Sequence, residues 1–195
     1  MNRLICALLM ISSIILGSCA KNKNVSDMDK ENDKALVVYY SATGTTEAIA
    51  KKISQATGST LYRIEPEQPY TSADLDWQDN NSRSTKEMND RSARPAIKNG
   101  KVNLDSINTV YLGYPIWWDL CPRPVNTFLE KYDFSGKTVI PFATSGGSSI
   151  AHSVRQLRKL YPNVTWNDGK LLNGGVAVAT EWAKQVVENG KKESR

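Results

Sequence analysis

Three short stretches hold the residue types that do chemistry. Ser41-Ala42-Thr43-Gly44-Thr45-Thr46 sets four hydroxyls and one glycine between an apolar run and an amphipathic one. Hydroxyls and free N–H groups at a helix N-terminus favour an anion. No Lys or Arg lies in the stretch, and neither GxxxxGK[ST] nor GxGxxG occurs in the chain. The pattern disfavours a magnesium triphosphate or a dinucleotide pyrophosphate and suits one phosphate monoester held by N–H and O–H alone. Plain helix capping by Ser and Thr explains the same residues without a ligand. The second stretch is Pro115-Ile116-Trp117-Trp118. Successive strand side chains alternate between faces, so two adjacent Trp cannot enter one core. At least one is exposed or covers a ligand. In the third, Thr144-Ser145-Gly146-Gly147-Ser148, glycine lets backbone N–H groups come close to a bound group.

Each stretch follows a predicted strand. Ala35 to Tyr40 is an almost unbroken apolar run, suited to a strand buried on both faces. Ala48, Ile49, Ile53 and Ala56 then share a helix face, and Gly58 ends it. Strands are predicted over 60–64, 109–114 and from 137, the last with Pro141 as an oddity inside it. Helices are predicted around Val125 to Tyr132 and Ile150 to Tyr161. A weaker fifth strand is expected between Val164 and Val178, then a helix from about Thr180 to Asn189 with Trp182, Ala183, Val186 and Val187 inward. Strand–helix alternation predicts an α/β domain, a doubly wound five-stranded parallel sheet with helices on both faces. Ligands bind such sheets at the carboxyl ends of the strands, where the three stretches fall. Residues 66–108 break the rhythm: polar, with Tyr70 and Trp77 as isolated aromatics and one helix expected within 72–89. A connection this long is either functional or a structural insertion.

Over Lys34 to Asn189 the chain resembles the flavodoxins, specifically the group with a long connection after strand two. The three stretches carry the resemblance, together with Asp76-Trp77 and Ser92-Ala93-Arg94-Pro95. It implies a flavodoxin-like fold with FMN as cofactor. Ser41, Ala42, Thr43, Gly44, Thr45 and Thr46 would take the phosphate. Pro115, Ile116, Trp117 and Trp118 would wall the flavin. Thr144, Ser145, Gly146, Gly147 and Ser148 would meet its pyrimidine edge. A flavin is a flat, largely apolar plate with polar atoms on one edge, which these residue types suit. The chain departs from the family in having Thr45 where Asn is usual, and in being basic, with a formal net charge of +5. In flavodoxins a peptide beside the flavin turns over on reduction, often at a Gly. The corresponding stretch here, Trp117-Trp118-Asp119, has none.

The first residues read differently. Met1-Asn2-Arg3 is positively charged, Leu4 to Leu16 is apolar apart from Ser12 and Ser13, and Leu16-Gly17-Ser18-Cys19 follows. This is the order of a secretory signal, and its end resembles a bacterial lipobox. The expectation is a signal peptide over 1–18, a lipid on Cys19 and a polar tether over 19–33. About fourteen flexible residues reach roughly 20 Å, which keeps the domain near the membrane. The domain is expected over 34–190, with a basic tail at 191–195. After Cys6 and Cys19, only Cys121 is left, so neither an internal disulfide nor a thiolate cluster is expected. The single His, His152, leaves no multi-His metal site and reads as a surface residue. No run of Lys and Arg resembles a nucleic-acid tract.

These readings leave three functions. The first is a membrane-anchored FMN electron carrier in the cell envelope, whose partner is another redox protein or a quinone. The second is an FMN-dependent quinone or nitro-group reductase. The third is a flavodoxin-fold binding module without cofactor. The carrier is favoured, because nicotinamide donors are scarce outside the cytoplasm and no residue stands out as a catalytic acid or base. The cofactor would supply the redox chemistry.

Overall fold

The computed structural model describes residues 35–98, 100 and 102–193. The signal at 1–18, Cys19 and the tether at 19–33 lie outside the described residues, as do residues 194 and 195 of the expected tail. Five parallel strand positions form one sheet. They are β1 (Ala35–Tyr39), β2 (Thr60–Arg63), β3 (Thr109–Pro115), β4 (Thr138–Thr144) and a fifth made of two pieces, β5 (Thr165–Trp166) and β6 (Lys170–Leu171). The spatial order is β2-β1-β3-β4-β5, with β6 also beside β4. The helices are α1 (Thr45–Thr57), α2 (Arg83–Asn89), α3 (Arg123–Lys131), α4 (Ile150–Leu160) and α5 (Gly175–Glu193). This is the α/β arrangement that strand–helix alternation predicts.

Side-chain alternation along β1 divides the core in two. Val37 and Tyr39 point to the face covered by α1 and α5, where Ile49, Ile53, Ala179 and Ala183 are buried. Leu36 and Val38 point to the other face, against Val125 and Phe128 of α3 and Val154 and Leu157 of α4. Helices on both faces explain why the strands read as continuous apolar runs rather than alternating ones.

The fifth strand explains Pro141. Thr138 and Val139 pair with Thr165 and Trp166. Phe142 and Ala143 pair with Lys170 and Leu171. Between the two pairs one extra residue is inserted in the edge strand, a bulge spanning Asn167–Gly169. The carbonyls of Lys137, Val139 and Ala143 all accept bonds from this edge. Pro141 shares their side, so its missing N–H faces the gap and no ladder bond is lost. Gly169 closes the bulge at φ 75°, where an added Cβ would lie 2.5 Å from the Pro141 carbonyl oxygen. Left-handed strain and a backbone clash combine there. Gly169→Ala is therefore expected to destabilise the domain by about 2–4 kcal/mol. Denaturant midpoints measure this, and a loss below about 1 kcal/mol would remove the bulge from the explanation.

The last helix differs from expectation. It begins at Gly175, not near Thr180, and takes in Val176 to Val178, residues that read as the end of a strand. Ala179 and Ala183 are small enough to let α5 lie close over the sheet, and Trp182 packs edge-on to Tyr111. Lys191 and Lys192 of the expected tail sit in its last turn, where cations complement the helix dipole.

The long connection is pinned rather than loose. Glu67 N–H donates to Ala96 O and Lys98 N–H to Glu65 O, so its two arms zip together. Arg83 stacks over the Tyr70 ring at 4.1 Å and pairs with Glu87 at 2.7 Å. The Tyr70 hydroxyl also bonds Glu87. Arg123 is buried and donates to the carbonyls of Glu87 (3.0 Å) and Met88 (2.8 Å), which caps α2 with a cation.

Candidate functional site

A cavity of about 580 Å³ opens at the carboxyl ends of β1, β3 and β4. At one end stands the N-terminus of α1. Its N-cap, Gly44, is left-handed at φ 92° and offers no capping side chain. The Gly44 N–H donates to Ser41 Oγ at 3.1 Å, which curls the turn. The helix ladder begins with Ala48 N–H on Gly44 O, so the first-turn N–H groups before it have no helical acceptor. Thr43 and Thr45 are exposed on the cavity wall. Thr46 is buried, and its hydroxyl lies 2.8 Å from that of Thr144. Uncapped N–H groups beside exposed hydroxyls make an anion cradle.

The opposite wall is apolar. Pro115, Ile116 and Trp117 line it. Trp117 is held edge-on by Tyr40, with ring centroids 5.7 Å apart, and by Tyr70 at 5.4 Å. The chain then makes a two-residue hairpin. Trp117 N–H donates to Leu120 O and Leu120 N–H to Trp117 O, both at 2.9 Å. Trp118 (φ 46°) and Asp119 (φ 61°) are both left-handed. Positive φ at both central positions is a type I′ turn, which ordinarily recruits Asn and Gly. Trp118 is turned outward, 41% exposed. A flat ring carrying a phosphate monoester fits a cavity with an anion cradle at one end and an indole wall along its length.

A family model described as flavodoxin matches residues 34–189. The chain belongs to the flavodoxin family. A protein classed as a flavoprotein from Bacteroides eggerthii is 53% identical, with 80% of this chain and 99% of that one covered and a TM-score of 0.75. A second, from Bacteroides uniformis, is 49% identical over 80% of this chain and 99% of that one, also with a TM-score of 0.75. A flavoprotein from Lactobacillus acidophilus, solved in complex with FMN, shares the fold at 21% identity and a TM-score of 0.59, over 71% of this chain and 92% of that one. No curated protein matches.

Of the residues singled out from sequence, this flavodoxin brings Ser41, Ala42, Thr43, Thr45, Thr46, Pro115, Ile116, Trp117, Thr144, Ser145 and Gly146 to one cavity. Gly44 shapes the turn behind them. Trp118, Gly147 and Ser148 do not line it. The N–H groups of Gly147 and Ser148 are spent on Ser145 Oγ, at 3.1 and 2.7 Å. Ser149 caps α4.

The cavity also takes residues that the sequence did not single out. Leu75 comes from the long connection, Ile49 from α1, and Leu172, Asn173 and Gly175 from the β6–α5 junction. Arg63 of β2 reaches the back of the phosphate turn. It donates to Ser41 O at 3.5 Å and to Glu47 at 3.4 Å, so positive charge stands behind a turn with none of its own. Glu47 in the first turn is paired with Lys51 at 2.6 Å and Arg63 at 3.4 Å; these cations hold its carboxyl below its usual range, so it stays ionised, and their charge offsets its own. His152 is exposed. Cys121 is buried, and burial pushes its thiol up to about 12, so it is an inert packing residue. Among the described residues no group of His, Cys, Asp and Glu could hold a metal ion. No described helix is long and apolar enough to cross a membrane.

Proposed function

We propose that this chain is a single-domain electron-transfer flavodoxin of the long-connection group that binds FMN and is held in the cell envelope by a lipid on Cys19. The uncapped, hydroxyl-rich N-terminus of α1, facing the Trp117 wall across one cavity, carries the cofactor reading. The protein supplies a dry wall, an anion cradle and backbone donors, and FMN supplies the redox chemistry when bound. The absorption spectrum of the purified mature domain tests this. Flavin bands in the blue are expected, and a colourless protein that takes up no added FMN would leave only the cofactor-free binding module.

The anchoring proposal rests on Leu16-Gly17-Ser18-Cys19. Cys19→Ser is expected to leave the domain folded and to move the protein from the membrane to the soluble fraction. An unchanged distribution on cell fractionation would argue for a plain secretory signal or another anchor. The partner is proposed to be a redox protein or a quinone at the same membrane.

A second reading, an FMN-dependent quinone or nitro-group reductase, is favoured by one observation. The hairpin at Trp118-Asp119 is held at both ends by hydrogen bonds and contains no glycine. A turn that resists rearrangement suits transfer of electrons in pairs.

A further inference from the structure

The 144–148 loop has little hydrogen-bonding capacity to offer a ligand. The Thr144 carbonyl accepts from Ile116 N–H at 2.8 Å. Gly147 and Ser148 N–H are spent on Ser145 Oγ. Ser145 is closed at both backbone groups by one side chain. Its N–H donates to Asn173 Oδ1 at 2.9 Å, and its carbonyl accepts from Asn173 Nδ2 at 2.7 Å. One N–H in the loop has no such partner, that of Gly146, and Gly146 lines the cavity.

Asn173 stands where the sheet runs out. β6 pairs Leu171 with Ala143, and Leu172 N–H still reaches Ala143 O at 2.8 Å. The chain then turns into α5 at Gly174-Gly175, so no further main-chain rung is available. A side-chain amide has the donor and acceptor of a peptide group. Asn173 supplies them as an extra rung, two residues beyond the end of β6.

We infer that Asn173 is a positioning residue for the flavin ring. By holding Ser145 it aims the Gly146 N–H into the cavity as the single free backbone donor of this loop, directed at a carbonyl or ring nitrogen on the pyrimidine edge. The inference rests on the FMN reading above. It concerns a donor for the ring rather than for the phosphate, and that difference makes it testable. A residue that positions a ring donor affects FMN and riboflavin alike. One that acts on the phosphate affects FMN alone.

The experiment compares the wild-type protein with Asn173→Ala and Asn173→Asp, each as apo-protein and after titration with FMN and with riboflavin. In the apo-protein, Asn173→Ala is expected to speed hydrogen exchange of the Ser145 amide while the β3 and β4 amides stay protected. This readout needs no flavin, so it stands or falls separately from the FMN reading. With flavins, Asn173→Ala is expected to weaken FMN and riboflavin by the same factor, about tenfold for one misplaced donor. Asn173→Asp keeps the acceptor for Ser145 N–H but loses the donor to its carbonyl. It is expected to retain Ser145 protection and to lie between wild type and Asn173→Ala in affinity. An unchanged Ser145 exchange rate, unchanged affinities, or a loss confined to FMN would each overturn the proposal. So would loss of β3 and β4 protection in both variants, which would make Asn173 part of the fold's support. A wild-type protein that binds neither flavin would refute the cofactor reading itself, whatever the exchange data show.

Discussion

Riboflavin is expected to bind the apo-domain at least about two orders of magnitude more weakly than FMN. The two ligands differ only in the phosphate, and the α1 N-terminus is built for one. It has no side-chain cap, Ser41 is folded inward by Gly44 N–H, and Thr43 and Thr45 stand exposed on the cavity wall. Hydrogen bonds to a charged group contribute about 1.5–3 kcal/mol each, so two or three suffice for that ratio. FAD is expected to bind poorly as well, since no pyrophosphate fingerprint is present. Thr43→Ala and Thr45→Ala should each lower FMN affinity about tenfold or more while leaving riboflavin unchanged. Thr46→Ala should act on both ligands, because its hydroxyl is spent on Thr144 and links the phosphate turn to the loop at the ring end. Fluorescence or calorimetric titration reads all of these, and equal affinity for FMN and riboflavin would sink the phosphate site.

The second large effect concerns how electrons enter. During stepwise reduction, the FMN-loaded protein is expected to pass from oxidised to fully reduced with little long-wavelength absorption at the midpoint. In this family a peptide beside the flavin turns over on reduction. Here the candidate is the peptide between Trp118 and Asp119, since the bonds between Trp117 and Leu120 pin the flanking ones. Turning it over converts a type I′ turn into type II′. Asp119 would gain, moving to negative φ. Trp118 would be left at φ of about +60° with ψ near −120°, a region used by Gly. A residue with a Cβ there costs about 1–3 kcal/mol, or roughly one to two orders of magnitude in the stability of the one-electron state. Of the Gly-free stretch Trp117-Trp118-Asp119, the dihedrals put the burden on Trp118. Trp118→Gly should therefore raise the long-wavelength band at half reduction, whereas Asp119→Gly should do little. A large band in the wild-type protein would show that the turn rearranges freely or that another group compensates.

How far the site could be read from sequence depends on distance along the chain. The three turns after β1, β3 and β4 were legible because their chemistry is local: hydroxyls at a helix start, paired indoles at a strand end, a glycine pair before a helix. Leu75 was not, because it reaches the cavity only through the folding back of a polar segment whose pinning bonds join residues such as Arg83 and Gln68. Asn173 was hidden for another reason. The fifth strand is broken at Gly169, so each piece is too short to show a period, and Val176 and Val178 continue the β-branched pattern into what is a helix. Tertiary packing of Ala179 and Ala183 overrides that local preference. Arg63 illustrates a third case. Its charge reads as an ordinary surface residue until the β1–β2 register sets it beside Tyr39, next to the phosphate turn.

The interruption in the fifth strand bears on how copies of this protein behave when crowded. An open sheet exposes two unpaired borders, and a long, regular border is a template for another chain to zip onto. Here one border consists of two dipeptides separated by a kink, Thr165–Trp166 and Lys170–Leu171. The other, Thr60–Arg63, is four residues long and ends in a charge. Neither offers enough consecutive backbone groups for a foreign strand to take hold. The same irregularity that accommodates Pro141 thus leaves this border without the long, regular run of backbone groups that edge-to-edge pairing needs.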